Sequence, residues 1–146
     1  MSRLPPPALI GALLRVPSQA IHRRLIAELN AAGFRDLRLP HIGVFSYPSP
    51  DGARPGDLAE RAGMSKQAMN QLLQSLEQLG YLRRVPDEAD ARAKIVRLTD
   101  RGHAVWDMEF RVLEQIEQEW RQTLGEKSFE QLKRLLQKAW ASEAVP

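Results

Sequence analysis

The sequence predicts a mainly α fold with a small β-hairpin, and three observations predict it. Apolar residues recur at helical spacing through most of the 146 residues. Two short helical stretches, Pro55–Ala62 and 65–79, are separated by Gly63, the layout of a helix-turn-helix. Directly after them, the runs 81–85 and Lys94–Leu98 flank the polar segment PDEADARA and read as two strands with a charged tip, a wing. The length favours one domain spanning 1–146. Within it, 36–101 form the helix-turn-helix and wing, while 1–35 and 102–146 form helices that pair two copies.

The second helix of the pair carries the most informative pattern. Met69, Leu72, Leu73, Leu76 and Leu79 mark one buried face. The opposite side carries Lys66, Gln67, Asn70, Gln71 and Gln74, with positions 67, 71 and 74 along one stripe. This face is rich in amides and holds a single charge, whereas a merely solvated face mixes Glu and Lys. Asn and Gln bond adenine edges bidentately and Lys bonds guanine, so the face suits a DNA major groove. Ser65 is placed to cap the helix, whose N-terminus attracts a phosphate. The plain alternative is the wet side of an ordinary helix. Ahead of it, Pro55 suits a first turn and Leu58, Ala59 and Ala62 give a small apolar face. Gly63 stands where a left-handed residue ends a helix. Helical hairpins that bind nothing share this layout.

In the hairpin, Ile95, Val96 and Leu98 supply strand-forming content and Arg97 faces outward. Arg92, beside Asp90, is expected at the tip. A guanidinium on a narrow hairpin can enter a minor groove, where the potential is most negative. Asp90 is expected to hold that guanidinium by a charge-assisted hydrogen bond. The alternative is a surface ion pair worth about 0.5 kcal/mol. Lys66 and Lys94 would face DNA as well, with Glu60 and Glu77 turned away.

Four motifs in this order and spacing, Asp57-Leu58-Ala59, Gly80-Tyr81-Leu82, Asp90-Ala91-Arg92 and Leu98-Thr99-Asp100-Arg101-Gly102, resemble the MarR family of winged-helix transcriptional regulators. By length and helix order the resemblance covers nearly the whole chain, although the motifs lie between positions 54 and 102. It implies a homodimer on an inverted-repeat DNA operator, often released by a small ligand. It also implies that the helix from Ser65 reads the major groove and that Arg92 probes the minor groove. A ligand cleft is implied between dimer body and winged helix, with Phe45 and Trp106 as lining residues. Glu88 stands where many members have Pro, and Ala91 where many have Gly, so the tip is expected to bend differently.

The rest of the chain reads as helices. MSRLPPP is expected to be a loose arm, because consecutive prolines cannot form helix interior, or else to pack against a partner subunit. Residues 8–14 form an apolar turn or two, interrupted near Pro17, after which Ser18 caps a second segment. Ile21, Leu25 and Leu29 repeat at i+4 in a helix ending about Gly33. The apolar stretch 37–47 becomes a helix only through the resemblance. Thr99 starts a long helix with the stripe Val105, Met108, Val112, Ile116 and Trp120, ended by Gly125. Ser128 and Gln131 have capping-box spacing before a last helix carrying Phe129, Leu132, Leu135, Leu136, Ala139 and Trp140. Leu9, Leu13, Trp120, Phe129, Leu132, Leu136 and Trp140 together exceed what one small winged helix can cover. They predict a two-fold dimer interface.

Several classes are disfavoured. The chain has no cysteine, which excludes disulfides, thiolate zinc sites and thiol-based peroxide sensing within it, and fits a cytoplasmic protein. No run of apolar residues is long enough to span a membrane. The segment ALIGALL weakly imitates a signal peptide, but three prolines precede it and Arg15 closes it. There is no phosphate loop, dinucleotide glycine fingerprint, GxSxG or HExxH, so neither an enzyme nor a cofactor is expected. His22, His41 and His103 are scattered and read as ordinary surface or core residues; a metal site between His41, His103 and a carboxylate is imaginable if the fold brings them together. Charge is uneven: residues 1–50 carry six Lys/Arg against two Asp/Glu, 51–101 nine against eight, and 102–146 six against eight. A winged unit this close to neutral predicts modest non-specific DNA affinity. It also keeps open an alternative, a winged-helix protein-interaction module that docks a partner protein on its amide face.

Overall fold

The computed structural model describes residues 8–46 and 48–141. Its elements run α1 (Ile10–Ala31), α2 (Leu39–Phe45), α3 (Pro55–Ala62), α4 (Lys66–Gln78), β1 (Leu82–Pro86), β2 (Lys94–Leu98), α5 (Asp100–Leu124) and α6 (Glu126–Trp140). The arm MSRLPPP lies outside the described residues. The chain groups into two compact units, Met1–Phe110 and Arg111–Pro146, and α5 is continuous across the boundary.

In the first unit α2 packs on α1, α3 and α4, while α3 and α4 pack on each other and on the hairpin. The helix-turn-helix forms as its residues dictate. Gly63 takes φ 64° at the end of α3, a left-handed conformation that glycine adopts without a Cβ penalty. Ser65 caps α4, its hydroxyl accepting from the Ala68 N–H at 3.1 Å. Met69, Leu73 and Leu76 are fully buried. The strands pair antiparallel from Leu82↔Leu98 to Pro86↔Lys94. Tyr81, expected in the first strand, instead closes the helix before it, donating its N–H to Leu76 O at 2.9 Å. The outer edge of β2 is not left bare. Gly52 N–H donates to Val96 O at 2.7 Å, Val96 N–H to Ala53 O at 2.8 Å, and Leu98 N–H to the Asp51 carboxylate at 2.9 Å. Pairing an edge in this way removes a template for aggregation.

One expected helix start is corrected. α1 runs unbroken through Pro17, and Ser18 is helix interior. Proline removes one backbone hydrogen bond, but the freed carbonyl belongs to Leu13, whose surroundings are exposed enough for water to replace the lost donor. α2, poorly marked by periodicity, is started by Pro40 in its first turn and by His41, whose Nδ1 accepts from the Arg38 N–H at 2.9 Å.

In the second unit Gly125, at φ 86°, ends α5 and serves as N-cap of α6. The Ser128–Gln131 capping box therefore does not form: α6 begins at Glu126, and Ser128 lies inside it. The left-handed glycine turns the chain at once, and Phe129 N–H already bonds Gly125 O at 3.0 Å. Arg121 lies over the Phe129 ring at 4.7 Å and pairs with Glu117, Glu126 and Glu130. Lys133 pairs with Glu117 at 3.0 Å. Such exposed pairs contribute little singly; the buried Phe129 ring contributes about 2–3 kcal/mol.

Candidate nucleic-acid interface

α4 turns its apolar face into the first unit and leaves Lys66, Gln67, Asn70, Gln71 and Gln74 exposed, together with Ser65. The helix thus presents the face that its periodicity predicts. One member is not free. Asn70 Oδ1 accepts from Arg84 Nη1 at 3.2 Å, and Arg84 Nε donates to Glu77 at 2.6 Å. Glu77, seven residues along α4 from Asn70, and Arg84, on β1, thereby tie α4 to the wing. Arg84 was not singled out by sequence reasoning; the signal was the doubled arginine after Gly80-Tyr81-Leu82.

At the wing, Asp90, Arg92 and Lys94 are all exposed. The expected grip of Asp90 on the Arg92 guanidinium is corrected: its Oδ1 accepts from the Arg92 backbone N–H at 3.0 Å. A carboxylate two residues before an N–H closes an Asx turn with little entropy loss, whereas a guanidinium must be held on a flexible stem. Asp90 therefore shapes the tip, together with Ala93 N–H bonding Asp90 O at 2.9 Å. The wing root is held by Arg54, which donates to Asp87 at 2.7 Å and 3.0 Å. The Asp87 carboxyl is held below its ordinary range by the Ala89 N–H and by Arg54.

Behind the interface lies a cluster that explains two of the sequence motifs. The Tyr81 side chain is buried, its hydroxyl donates to Asp36, and the Arg101 guanidinium sits 4.1 Å from its ring centre. Arg101 also donates to Asp36 at 3.0 Å and to Leu79 O. Burial alone would raise the Asp36 carboxyl, but the Tyr81 and Arg101 hydrogen bonds outweigh it and lower the pKa. Burial and the Asp36 charge push the Tyr81 hydroxyl up. Thr99 starts α5: its hydroxyl accepts from Gly102 N–H at 3.2 Å and donates to Gly80 O at 2.6 Å. Gly102 packs so closely that a Cβ there would lie 2.0 Å from Tyr81 O. This cluster joins the ends of α4 and the hairpin to the start of α5 and to the α1–α2 connection.

The ligand-lining expectation is corrected at Phe45. It is fully buried, edge-on to Tyr81 with ring centres 6.4 Å apart, so it is a core side chain. Trp106 is half-buried. Buried polar groups lie elsewhere. Glu109, on the α5 face that also buries Val105, is 3% exposed, and its Oε1 finds no hydrogen-bond partner among the described residues; nor does Asn30 Oδ1 on α1. Burial raises the Glu109 pKa to about 8. No periodicity marks Glu109, because a carboxylate on an apolar stripe reads as a solvated position. His41 is structural: besides its bond to Arg38 N–H, its Nε2 lies 3.1 Å from Ser75 Oγ. Desolvation lowers its pKa, and Arg38 adds to that effect against the opposing Asp36. His103 is exposed, and no metal-holding group of His, Asp and Glu occurs among the described residues.

Of the residues expected to pair two copies, Leu9, Leu13, Leu136 and Trp140 are exposed, Trp140 by 69%. Ile10, Leu14 and Val16 extend the exposed apolar surface of α1, and Leu135 that of α6. Trp120 and Leu132 are half-buried. Phe129 differs from expectation: its own chain buries it, under Arg121 and Lys133. Among the described residues no helix is long and apolar enough to cross a membrane.

Residues 47–93 match the MarR family model. The transcriptional activatory protein BadR of Rhodopseudomonas palustris is 30% identical over 89 residues, 60% of this chain and 51% of BadR, so the chain spans about half the length of that curated relative. Among solved structures, the Staphylococcus aureus MepR–DNA complex superposes with TM-score 0.71 at 22% identity, over 92% of this chain and 98% of that one. The Mycobacterium tuberculosis MarR family protein Rv2887, in complex with salicylic acid, superposes with TM-score 0.64 at 27% identity over the same shares. A helix-turn-helix with an exposed amide face, a wing locked to it through Tyr81 and Arg84, and these likenesses converge: the chain has a winged-helix fold similar to that of MarR family structures, with residues 47–93 matching the family model itself.

Proposed function

We propose that this protein is a sequence-specific DNA-binding transcriptional regulator that acts in the cytoplasm as a homodimer on an inverted repeat. The observation that carries this reading is α4 itself: its apolar face is buried while its amide face is exposed on the same molecule as the exposed wing-tip Arg92. Gln67, Asn70, Gln71 and Gln74, with Lys66, would enter the major groove, and Ser65 at the helix N-terminus would meet a phosphate. Arg92 and Lys94 would reach the adjacent backbone and minor groove. The MepR structure with DNA supports this placement by its likeness of fold. Two copies, paired through exposed apolar side chains such as Leu9, Leu13, Leu136 and Trp140, would set two recognition helices about one DNA turn, ~34 Å, apart.

The reading includes release by a small molecule, supported by the salicylic acid complex of the mycobacterial relative. An effector acts only by binding one arrangement of the dimer better than the other. Selection of bound sequences from random duplex DNA tests the whole proposal: it should return a palindrome of roughly 16–20 base pairs. Recovery of no sequence above background would overturn it. The near-neutral charge of residues 51–101 favours one competing reading, a winged helix that docks a protein partner. That reading predicts no steep salt dependence of duplex binding, whereas DNA binding requires it.

A further inference from the structure

The link from α4 to β1 has a consequence for which base is read. A guanidinium has only donors, so the Asn70 atom facing Arg84 Nη1 is the oxygen, and the amide nitrogen points away with two N–H groups to give. Arg84 is itself fixed, because its Nε bonds Glu77 at 2.6 Å, and its side chain is only 27% exposed. Reading adenine bidentately requires an asparagine oxygen free to accept from the adenine amino group while the nitrogen donates to N7. Arg84 takes one of that oxygen's two acceptor sites and fixes its direction towards β1, which turns it from the groove edge. Guanine offers two acceptors, N7 and O6, on the same groove edge, and suits an outward pair of N–H donors.

Resting on the DNA-binding reading above, we propose that Arg84 is a specificity-determining positioning residue: anchored on Glu77, it holds the Asn70 amide nitrogen-outward, so that Asn70 selects guanine and rejects adenine. Arg84 acts through Asn70 and need not touch a base. Gln67, Gln71 and Gln74 are exposed on the same face and keep the usual adenine preference of an amide.

The test is selection from random duplex DNA with four proteins: wild type, Asn70→Ala, Arg84→Ala and Glu77→Gln. Asn70→Ala should lose its preference at one base pair in each half-site, which identifies the position that Asn70 reads. There the wild type should favour guanine over adenine. Arg84→Ala frees the oxygen and should move the adenine-to-guanine ratio at that position about tenfold towards adenine, leaving other positions unchanged. Glu77→Gln weakens the anchor and should move it the same way by less. If Arg84→Ala fails to melt cooperatively, Glu77→Gln decides. A wild type that already selects adenine there, or folded variants with an unshifted ratio, would overturn the inference while leaving DNA reading intact. A wild type that selects no sequence would remove DNA reading and, with it, the inference.

Discussion

The winged unit and the helices at the two ends of the chain bury their apolar stripes with opposite completeness. In α3, α4 and the hairpin, Leu58, Met69, Leu73, Leu76 and Val96 all find partners inside their own chain, and what remains outside is mainly polar: amides on α4, and charged side chains of both signs such as Glu60, Lys66, Asp90 and Arg92. In α1 and α6 the reverse holds: Leu9, Ile10, Leu13, Leu135, Leu136 and Trp140 remain on the surface of the single chain. The residue types left over fit the different neighbours proposed for them. Groove edges and phosphates ask for donors and acceptors, whereas a second protein copy asks for apolar area. The terminal helices should therefore fail by dissociation and the winged unit by loss of DNA reading or by local unfolding.

The largest effect should come from truncation after Gly125. Removal of α6 should convert the dimer to monomer, read by mass measurement in solution; a persistent dimer would place the pairing surface elsewhere. Next, Gly102→Val brings side-chain atoms against Tyr81 O, where even a Cβ would lie 2.0 Å away. Neither partner can yield without unseating the start of α5, so a loss of about 3 kcal/mol in denaturant melts is expected. A melt unchanged from wild type would show that the junction is loose.

Glu109→Gln should separate the two regions by pH. Burial raises the folded-state pKa of Glu109 from its ordinary 4.5 to about 8, so the fold favours the protonated form. Its neutral state is fully retained below about pH 4.5, and stability falls as pH rises from there through about 8. The variant should melt like the wild type at pH 4.5 and above it at pH 9, by up to a few kcal/mol. Equal melting at both pH values would mean that the carboxylate finds a partner. Gln67→Ala should cost ~1–3 kcal/mol on the selected operator and much less on random duplex. Equal losses on both would remove base reading at that position. Smallest is Arg92→Ala, expected to cost about 1 kcal/mol at low salt and to flatten the salt slope by roughly one ion, with no change in melting.

How much of this was legible depended on distance along the chain. Ser65 capping Ala68, Gly63 and Gly125 in left-handed turns, and the α4 stripe are settled by neighbours within one or two helical turns, and each appears where its residues predict. Pro17, Ser128 and Asp90 are local signals that misled. Each had a competitor that residue type does not reveal: solvent for the orphaned Leu13 carbonyl, a glycine cap three residues earlier, and a backbone N–H nearer than a guanidinium. Phe45 and Phe129 were misassigned for another reason. An aromatic ring carries no mark of whether its own chain or a ligand or second copy covers it.

By itself the sequence determined the succession of helix, turn, helix and hairpin and the polar face of α4, because periodicity, caps and turns act through the backbone nearby. Only the tertiary structure decided that Tyr81, Asp36 and Arg101 meet across as many as 65 positions, that Arg84 bonds the Asn70 oxygen, and that Glu109 Oε1 is buried with no hydrogen-bond partner among the described residues. Those depend on which elements the packed core brings side by side. A hydrogen bond between distant residues leaves no spacing in the chain from which to read it.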